Sequence, residues 1–133
     1  MDMFFLRGVS GSGKSELANK LALIPDTVVV SADSYFYDGE GNYNFDVKKL
    51  GEAHKQCQEM AKFALENGMN VVVSNTNCRT QDVGLYSKIA LETESTFTSI
   101  VVENRHGNVD VHNVPEESLL RQELTLRQSL KLR

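Results

Sequence analysis

The sequence is short of cysteines, of long apolar runs and of basic residues, and each shortage argues against a class of protein. Two cysteines in 133 residues are too few for a disulfide framework. We interpret Cys57 and Cys78 as small apolar residues in a reducing compartment. No apolar run reaches membrane-spanning length, and no signal peptide precedes the first predicted strand. These features predict a cytoplasmic protein.

The charge balance limits the kinds of partner that the chain can bind. A net charge of −4 argues against loose binding along duplex DNA or an acidic membrane, which needs a broad basic face. The same net charge is compatible with a narrow local pocket that binds the end of one nucleic-acid strand. The length of 133 residues predicts one domain with a real core, and we find no internal repeat or low-complexity tract.

The most informative stretch is Gly8–Ser15, which matches the phosphate-binding loop pattern G-x-x-x-x-G-K-[ST]. The apolar run 3–6 before it predicts a strand, and residues 14–23 after it have helical spacing. Strand, glycine-rich turn and helix are the context that this P-loop requires. The predicted nucleotide-binding residues are Gly8, Ser10, Gly11, Ser12, Gly13, Lys14 and Ser15.

These residue types suit a nucleoside triphosphate, with ATP and Mg²⁺ as the expected ligands. Glycines let successive backbone N–H groups face inward, at a helix N-terminus whose dipole also favours phosphate. Lys14 would place its charge on the β- and γ-phosphates, and Ser15 would offer its hydroxyl to Mg²⁺.

The rest of the chain alternates strand and helix patterns, which predicts a parallel sheet. The run 27–31 is β-branched and predicts a strand buried on both faces, and further strands are predicted at 70–74 and 97–102. One helix is predicted from an Asp46 cap to about residue 67, where Gly68 ends it. Two more are predicted, one from a Thr80 cap to about residue 93 and one from Pro115 onwards. The expected buried stripe of the long helix is Leu50, Ala53, Cys57, Met60 with Ala61, and Ala64.

Ligands of parallel sheets bind beyond the carboxyl ends of the strands, so residues that follow the strands should share one cleft. Asp33 follows the second strand and is the best candidate for the catalytic base, or for a Mg²⁺ ligand beside Ser15. Alternatively, Asp33 caps a helical turn at Tyr35–Phe36.

Further candidates lie on the loops that follow the other strands. Residues 103–114 could form a lid that places Arg105 on the transferring phosphate, or they could be a solvated loop. The segment 75–77 could orient a phosphate or a metal-bound water, or only form a turn. Aromatic residues at 35–45 could stack a base of the acceptor, or only cover one edge of the long helix. The candidate substrate contacts are Tyr35, Asn75, Asn77 and His112.

At Gly8–Ser15, Ser31–Phe36, Asn75–Asn77 and His112–Pro115, the chain resembles small P-loop kinases of the polynucleotide 5′-hydroxyl kinase type. Such kinases occur in phages and as domains of larger eukaryotic proteins. The resemblance implies an α/β fold, a three-layer α/β/α P-loop NTPase with a mostly parallel four-stranded sheet in the order 2-3-1-4. It also implies an arginine-bearing lid before the last helix and transfer of the ATP γ-phosphate to a hydroxyl, typically a nucleic-acid 5′-OH. By position, Lys14 and Ser15 match the phosphate and Mg²⁺ residues, and Asp33 matches the general base.

The chain departs from that family pattern at three places. Phe36 stands where phage-type members carry an arginine, Ser74-Asn75 replaces an acidic residue, and no arginine directly precedes His112. The departures bear on the identity of the acceptor and on the catalytic rate, rather than on nucleotide binding. We therefore keep two alternatives, a kinase of nucleosides, nucleotides or other small molecules, and a catalytically weak ATP-binding module that regulates a partner.

Overall fold

The computed structural model describes residues 1–77, 79–103 and 115–130. Its strands are β1 (Asp2–Arg7), β2 (Thr27–Val30), β3 (Asn70–Val73) and β4 (Thr96–Val101). They form one parallel sheet in the order β2-β3-β1-β4, which confirms the predicted three-layer P-loop fold and its strand order.

Four α-helices flank the sheet, and none within the described ranges is long and apolar enough to cross a membrane. They are α1 (Lys14–Leu21), α2 (Leu50–Glu66), α3 (Thr80–Glu92) and α4 (Glu116–Leu130). Two 3₁₀ helices, Ala32–Phe36 and Val47–Lys49, lie between β2 and α2.

The core lies on both faces of the two central strands. On one face, Met3 and Phe5 of β1 pack in a cluster with residues of α2 and α3, including Cys57 and Tyr86. On the other face, Leu6 of β1 packs with residues of β3 and α1. The sheet is therefore the middle layer, and the glycine-rich loop leaves the carboxyl end of β1, one of its two central strands.

The expectation that β2 is buried on both faces was wrong. Val29 is 40% exposed, because β2 is the outermost strand of the sheet and pairs only with β3 among the described strands. The predicted stripe of α2 also needs one correction, since Met60 is 44% exposed while Ala61 is fully buried. The spacing of four that joins Ala53, Cys57 and Ala61 sets the buried face, so Met60 falls outside it.

Helix boundaries shift where local capping differs from the expected pattern. Asp46 does cap, but it caps the 3₁₀ helix Val47–Lys49, and α2 begins only at Leu50. The N-cap of α3 is Arg79 instead of Thr80, with Asp82 accepting from the Arg79 backbone N–H. Gly68 follows α2 with a φ of +79°, which confirms the expected terminating glycine.

Candidate active site

The loop between β1 and α1 has the backbone shape of a phosphate cradle. Gly11 and Gly13 have φ angles of +80° and +105°, which an L side chain rarely adopts. Gly13 is the N-cap of α1 and has no side chain to satisfy the first N–H groups of the helix. The N-terminus of α1 is therefore built to receive an anion.

The loop is held in place by other parts of the chain. The Gly8 N–H donates to the Thr76 carbonyl at 2.9 Å, which ties the start of the loop to the segment after β3. The Ser10 N–H donates to the side-chain oxygen Oε1 of Gln122 in α4 at 3.0 Å. Two distant segments thus fix a loop whose glycines would otherwise leave it conformationally free.

Lys14 lies along the inside of this loop. Its side chain is buried, and Nζ donates to the carbonyls of Gly8 and Val9 at 2.8 Å each. These bonds hold the ammonium group within the loop, where phosphate oxygens would supply further acceptors. The structure thus places the predicted phosphate lysine at the cradle itself.

At Gly8, the start of the P-loop passes close to the backbone that follows β4. A Cβ atom there would lie 2.5 Å from the Val102 carbonyl oxygen and 2.7 Å from Ser12 Oγ. Both distances are too short for a carbon atom, and the Val102 oxygen belongs to backbone that cannot rotate away. The residue after β1 therefore has to be glycine for the loop to pass the end of β4.

We expect Gly8→Ala to destabilise the protein by about 1–3 kcal/mol, the usual cost of overpacking, and to weaken ATP binding by displacing the loop. Thermal unfolding with and without ATP measures both effects. The matched control is Gly51→Ala in α2, where a Cβ meets no atom within 4 Å and should stabilise the helix by about 0.5–1 kcal/mol. A Gly8→Ala variant with wild-type melting temperature and ATP affinity would contradict the close approach.

Asp33 lies on the 3₁₀ helix that follows β2, and the structure brings it to the P-loop. The N-cap of this helix is Ser31, whose hydroxyl accepts the Asp33 N–H at 3.2 Å. Asp33 and Ser15 line one cavity of about 250 Å³, hereafter the Ser15–Asp33 cavity. The cavity lining also includes Ser31, Ser34, Tyr37 and Ser74.

Asn75 and Asn77 are buried, do not line this cavity, and bond to the protein itself. Asn75 Oδ1 accepts the Ala32 N–H at 2.8 Å, so Asn75 fixes the start of the helix that carries Asp33. Asn77 Nδ2 donates to the Leu6 carbonyl at 2.7 Å, with a left-handed φ of +51°. Both amides therefore position backbone at the carboxyl edge of the sheet.

Behind Asn75, the core holds two further polar side chains. Asn75 Nδ2 lies 3.5 Å from the Cys57 sulfur, within hydrogen-bonding range for sulfur. Burial raises the pKa of the Cys57 thiol and that of the Tyr86 hydroxyl. Both groups are thus held neutral, and Cys57 is a buried free cysteine, as expected.

The aromatic residues at 35–45 meet around a tight loop at the mouth of the cavity. Asp38 Oδ1 accepts the N–H groups of Glu40 and Asn42, which lowers the pKa of Asp38. This turn brings the rings of Tyr37 and Tyr43 to 5.1 Å between centroids. Tyr37 is 45% exposed and is the aromatic residue among them that lines the Ser15–Asp33 cavity.

Tyr35, the aromatic residue singled out by sequence, is tied to α2 instead. Its hydroxyl donates to Glu52 Oε2 at 2.6 Å, and this hydrogen bond raises the pKa of Tyr35. Tyr37 is the ring that shares the cavity with Asp33. The pattern of five aromatics in the sequence did not distinguish the two.

Several predicted features lie outside the described residues. They are Cys78 and the predicted lid from residue 104 onwards, with its candidates Arg105 and His112.

The structure also reveals contacts of α4 and β1 that the sequence did not suggest. Arg7 is buried at the end of β1, where Nε donates to the Asn77 carbonyl at 2.9 Å and Nη2 donates to Ser129 Oγ at 2.6 Å. Gln122 reaches the P-loop from the same helix as Ser129. In the sequence, these contacts were indicated only by Arg7 itself, a charged residue at the end of an apolar strand.

The sheet order and the glycine loop ahead of α1 define a P-loop protein with a kinase-like fold. A family model described as an AAA domain matches residues 3–123. The chain belongs to this family, since the match covers nearly its whole length.

One curated relative is human NEDD4-binding protein 2, which is 44% identical over 86 residues. That match covers 63% of this chain but only 5% of the human protein. The chain thus corresponds to a small part of that relative's length.

Two solved structures are similar over nearly all of this chain at low sequence identity. A chain of the Pnkp1/Rnl/Hen1 RNA repair complex has a TM-score of 0.78 and 16% identity, covering 98% of this chain and 45% of that one. The Mycobacterium tuberculosis APS kinase CysC has a TM-score of 0.60 and 18% identity, covering 98% and 97%. At such identities these likenesses establish the fold alone.

Proposed function

We propose that the protein is an ATP-dependent phosphotransferase whose acceptor is the 5′-hydroxyl of a polynucleotide or oligonucleotide. The observation that carries this proposal is that Ser15, at the start of α1, and Asp33, after β2, line one cavity. A kinase needs a phosphate cradle and a carboxylate for the attacking hydroxyl within reach of each other.

The described residues suggest how the transfer would proceed. The N–H groups at the start of α1 and the Lys14 ammonium group hold the phosphates and compensate their charge. The acceptor oxygen bonds to the γ-phosphorus as the bond from phosphorus to the ADP oxygen breaks. The Asp33 carboxylate orients the acceptor hydroxyl and takes its proton.

The cavity also fits a magnesium ion bound with ATP. The Ser15 hydroxyl is a hard oxygen ligand, and Mg²⁺ typically takes one or two such protein ligands together with phosphates and water. The Asp33 carboxylate would be the second protein ligand only if it did not act as the base. Bound Mg²⁺ would neutralise charge on the β- and γ-phosphates.

A nucleic-acid acceptor is supported by the aromatic side of the cavity and by one structural neighbour. Tyr37 presents an exposed ring beside Asp33, on which a terminal base could stack. The RNA repair complex supplies the more similar of the two compared folds. A narrow cavity of about 250 Å³ also accords with the negative overall charge, because one strand end needs no broad basic surface.

The proposal is tested by supplying γ-labelled ATP with 5′-hydroxyl oligonucleotides, nucleosides and mononucleotides. We expect label on the 5′-hydroxyl oligonucleotide and none on the same oligonucleotide with a 5′-phosphate, which is the matched control. Label on nucleosides or mononucleotides alone would replace the proposed acceptor with a small molecule. Intact ATP binding without transfer to any acceptor would favour a regulatory ATP-binding module.

A further inference from the structure

The helix α4 contacts the nucleotide-binding end of the sheet through one face. Gln122, Leu126 and Ser129 are spaced at i, i+4 and i+7, which places them on the same side of a helix. Leu126 is buried, while the polar residues on either side of it bond to Ser10 and Arg7. The face therefore docks on the P-loop and on the strand before it.

The contact with Ser10 lies in the middle of the P-loop. Ser10 is flanked by Val9 and by Gly11, whose φ of +80° marks a turn that only a flexible residue allows. Gly8 on one side is already bonded to Thr76, and Gly13 on the other begins α1. Between these points, the Ser12 N–H donates to the Val9 carbonyl at 3.1 Å, which closes the turn from within. The 3.0 Å bond from Ser10 N–H to Gln122 Oε1 ties this turn to a helix outside the loop.

We propose that Gln122 is a positioning residue for ATP, acting through its hydrogen bond to the Ser10 backbone rather than by touching the nucleotide. The inference rests on the proposed binding of ATP at Gly8–Ser15. A loop that is already held in its binding shape loses less conformational freedom when the ligand arrives. Gln122 thus improves ATP affinity and leaves the chemistry to Lys14 and Asp33.

The same bond couples the nucleotide to α4. If docking of α4 favours ATP binding, then bound ATP must favour docking of α4 by the same factor. We assign this coupling to the hydrogen bond between the Ser10 N–H and Gln122. Removing the acceptor at Gln122 should therefore abolish the coupling, while α4 still docks and ATP still binds.

The test replaces Gln122 by methionine, which keeps the length and helix propensity of the side chain but loses the amide oxygen. Gln128→Met is the matched control, because Gln128 is an exposed residue of the same helix. We expect Gln122→Met to bind ATP about three- to tenfold more weakly than the control, the effect of one lost hydrogen bond. At saturating ATP, kcat should stay unchanged, and without ATP the melting temperature should fall only slightly below that of the control, because one hydrogen bond to the loop is lost.

Hydrogen exchange gives a second readout, which a merely structural role of Gln122 would not produce. In the wild type, ATP should slow exchange of the α4 amides near Gln122, and in Gln122→Met this slowing should be lost while that of α1 remains. Equal ATP affinity in the two variants, or α4 exchange that ATP leaves unchanged in the wild type, would overturn the inference. Because binding is measured without an acceptor, a wild type that binds no ATP would instead overturn the proposed function, and this inference with it.

Discussion

Lys14→Ala is expected to lower the rate of phosphoryl transfer by at least about 1,000-fold, because loss of one preorganised neutral hydrogen-bond donor costs up to about 1,000-fold and Lys14 also carries a charge. The ammonium group of Lys14 is held inside the P-loop by the Gly8 and Val9 carbonyls, where it would meet the phosphates. ATP binding should weaken strongly as well, because no other described side chain of the loop carries a positive charge. Single-turnover transfer and equilibrium ATP binding measure the two effects.

The control for this variant is Lys20→Ala, which removes an exposed lysine from the last turn of the same helix. It should keep both activity and ATP affinity. Lys14→Ala should still fold, with a slightly lower melting temperature, because the buried side chain loses two hydrogen bonds to the loop. Undiminished ATP affinity and turnover in Lys14→Ala would remove the P-loop interpretation altogether.

Asp33→Asn should separate ATP binding from chemistry. The amide keeps the shape of the side chain and can still hydrogen-bond, but it cannot take the acceptor proton. General-base assistance is worth about 100- to 10,000-fold in rate, and we expect a loss near the lower end because kinase carboxylates also position the hydroxyl. The measurements are kcat and the dissociation constant for ATP, of which only kcat should change greatly.

The N-cap of the helix that carries Asp33 is Ser31, so the outcomes for Asp33→Asn separate two remaining roles of this carboxylate, base and metal ligand. Full activity would show that Asp33 has neither role. Loss of ATP binding together with turnover would identify Asp33 as a ligand of the metal that accompanies ATP. Asp26→Asn is the matched control, because Asp26 is exposed at the opposite end of β2 and has a backbone conformation that asparagine tolerates.

The parts of the site that the sequence predicted are those determined by neighbouring residues. The P-loop needs glycines at 11 and 13 because of their left-handed backbone, and the adjoining strand and helix have their own apolar periodicity. Gly68 was predictable for the same reason, as a left-handed residue after a helix. In each case the feature depends only on residues that are close together in the sequence, so the local pattern is enough to predict it.

The parts that the sequence did not predict depend on contacts between distant segments. A run of β-branched residues such as Val28-Val29-Val30 does not show whether a strand is central or at an edge, and the edge position of β2 exposes Val29. Gln122 bonds to a residue 112 positions away, and a glutamine in a polar helix has no pattern that would reveal this. Which of Tyr35 and Tyr37 lines the cavity depends on how the loop at Asp38 folds, and the sequence alone does not show this.

The position of β1 in the sheet has a consequence for synthesis of the protein on the ribosome. β1 is made before both strands that flank it, since β3 begins at Asn70 and β4 ends at Val101. At about 5–20 residues per second, its apolar residues wait roughly 5–20 s for these partners. The P-loop lacks the Thr76 contact for most of this interval and the Gln122 contact for all of it, so the nascent chain should need protection from aggregation before it can bind nucleotide.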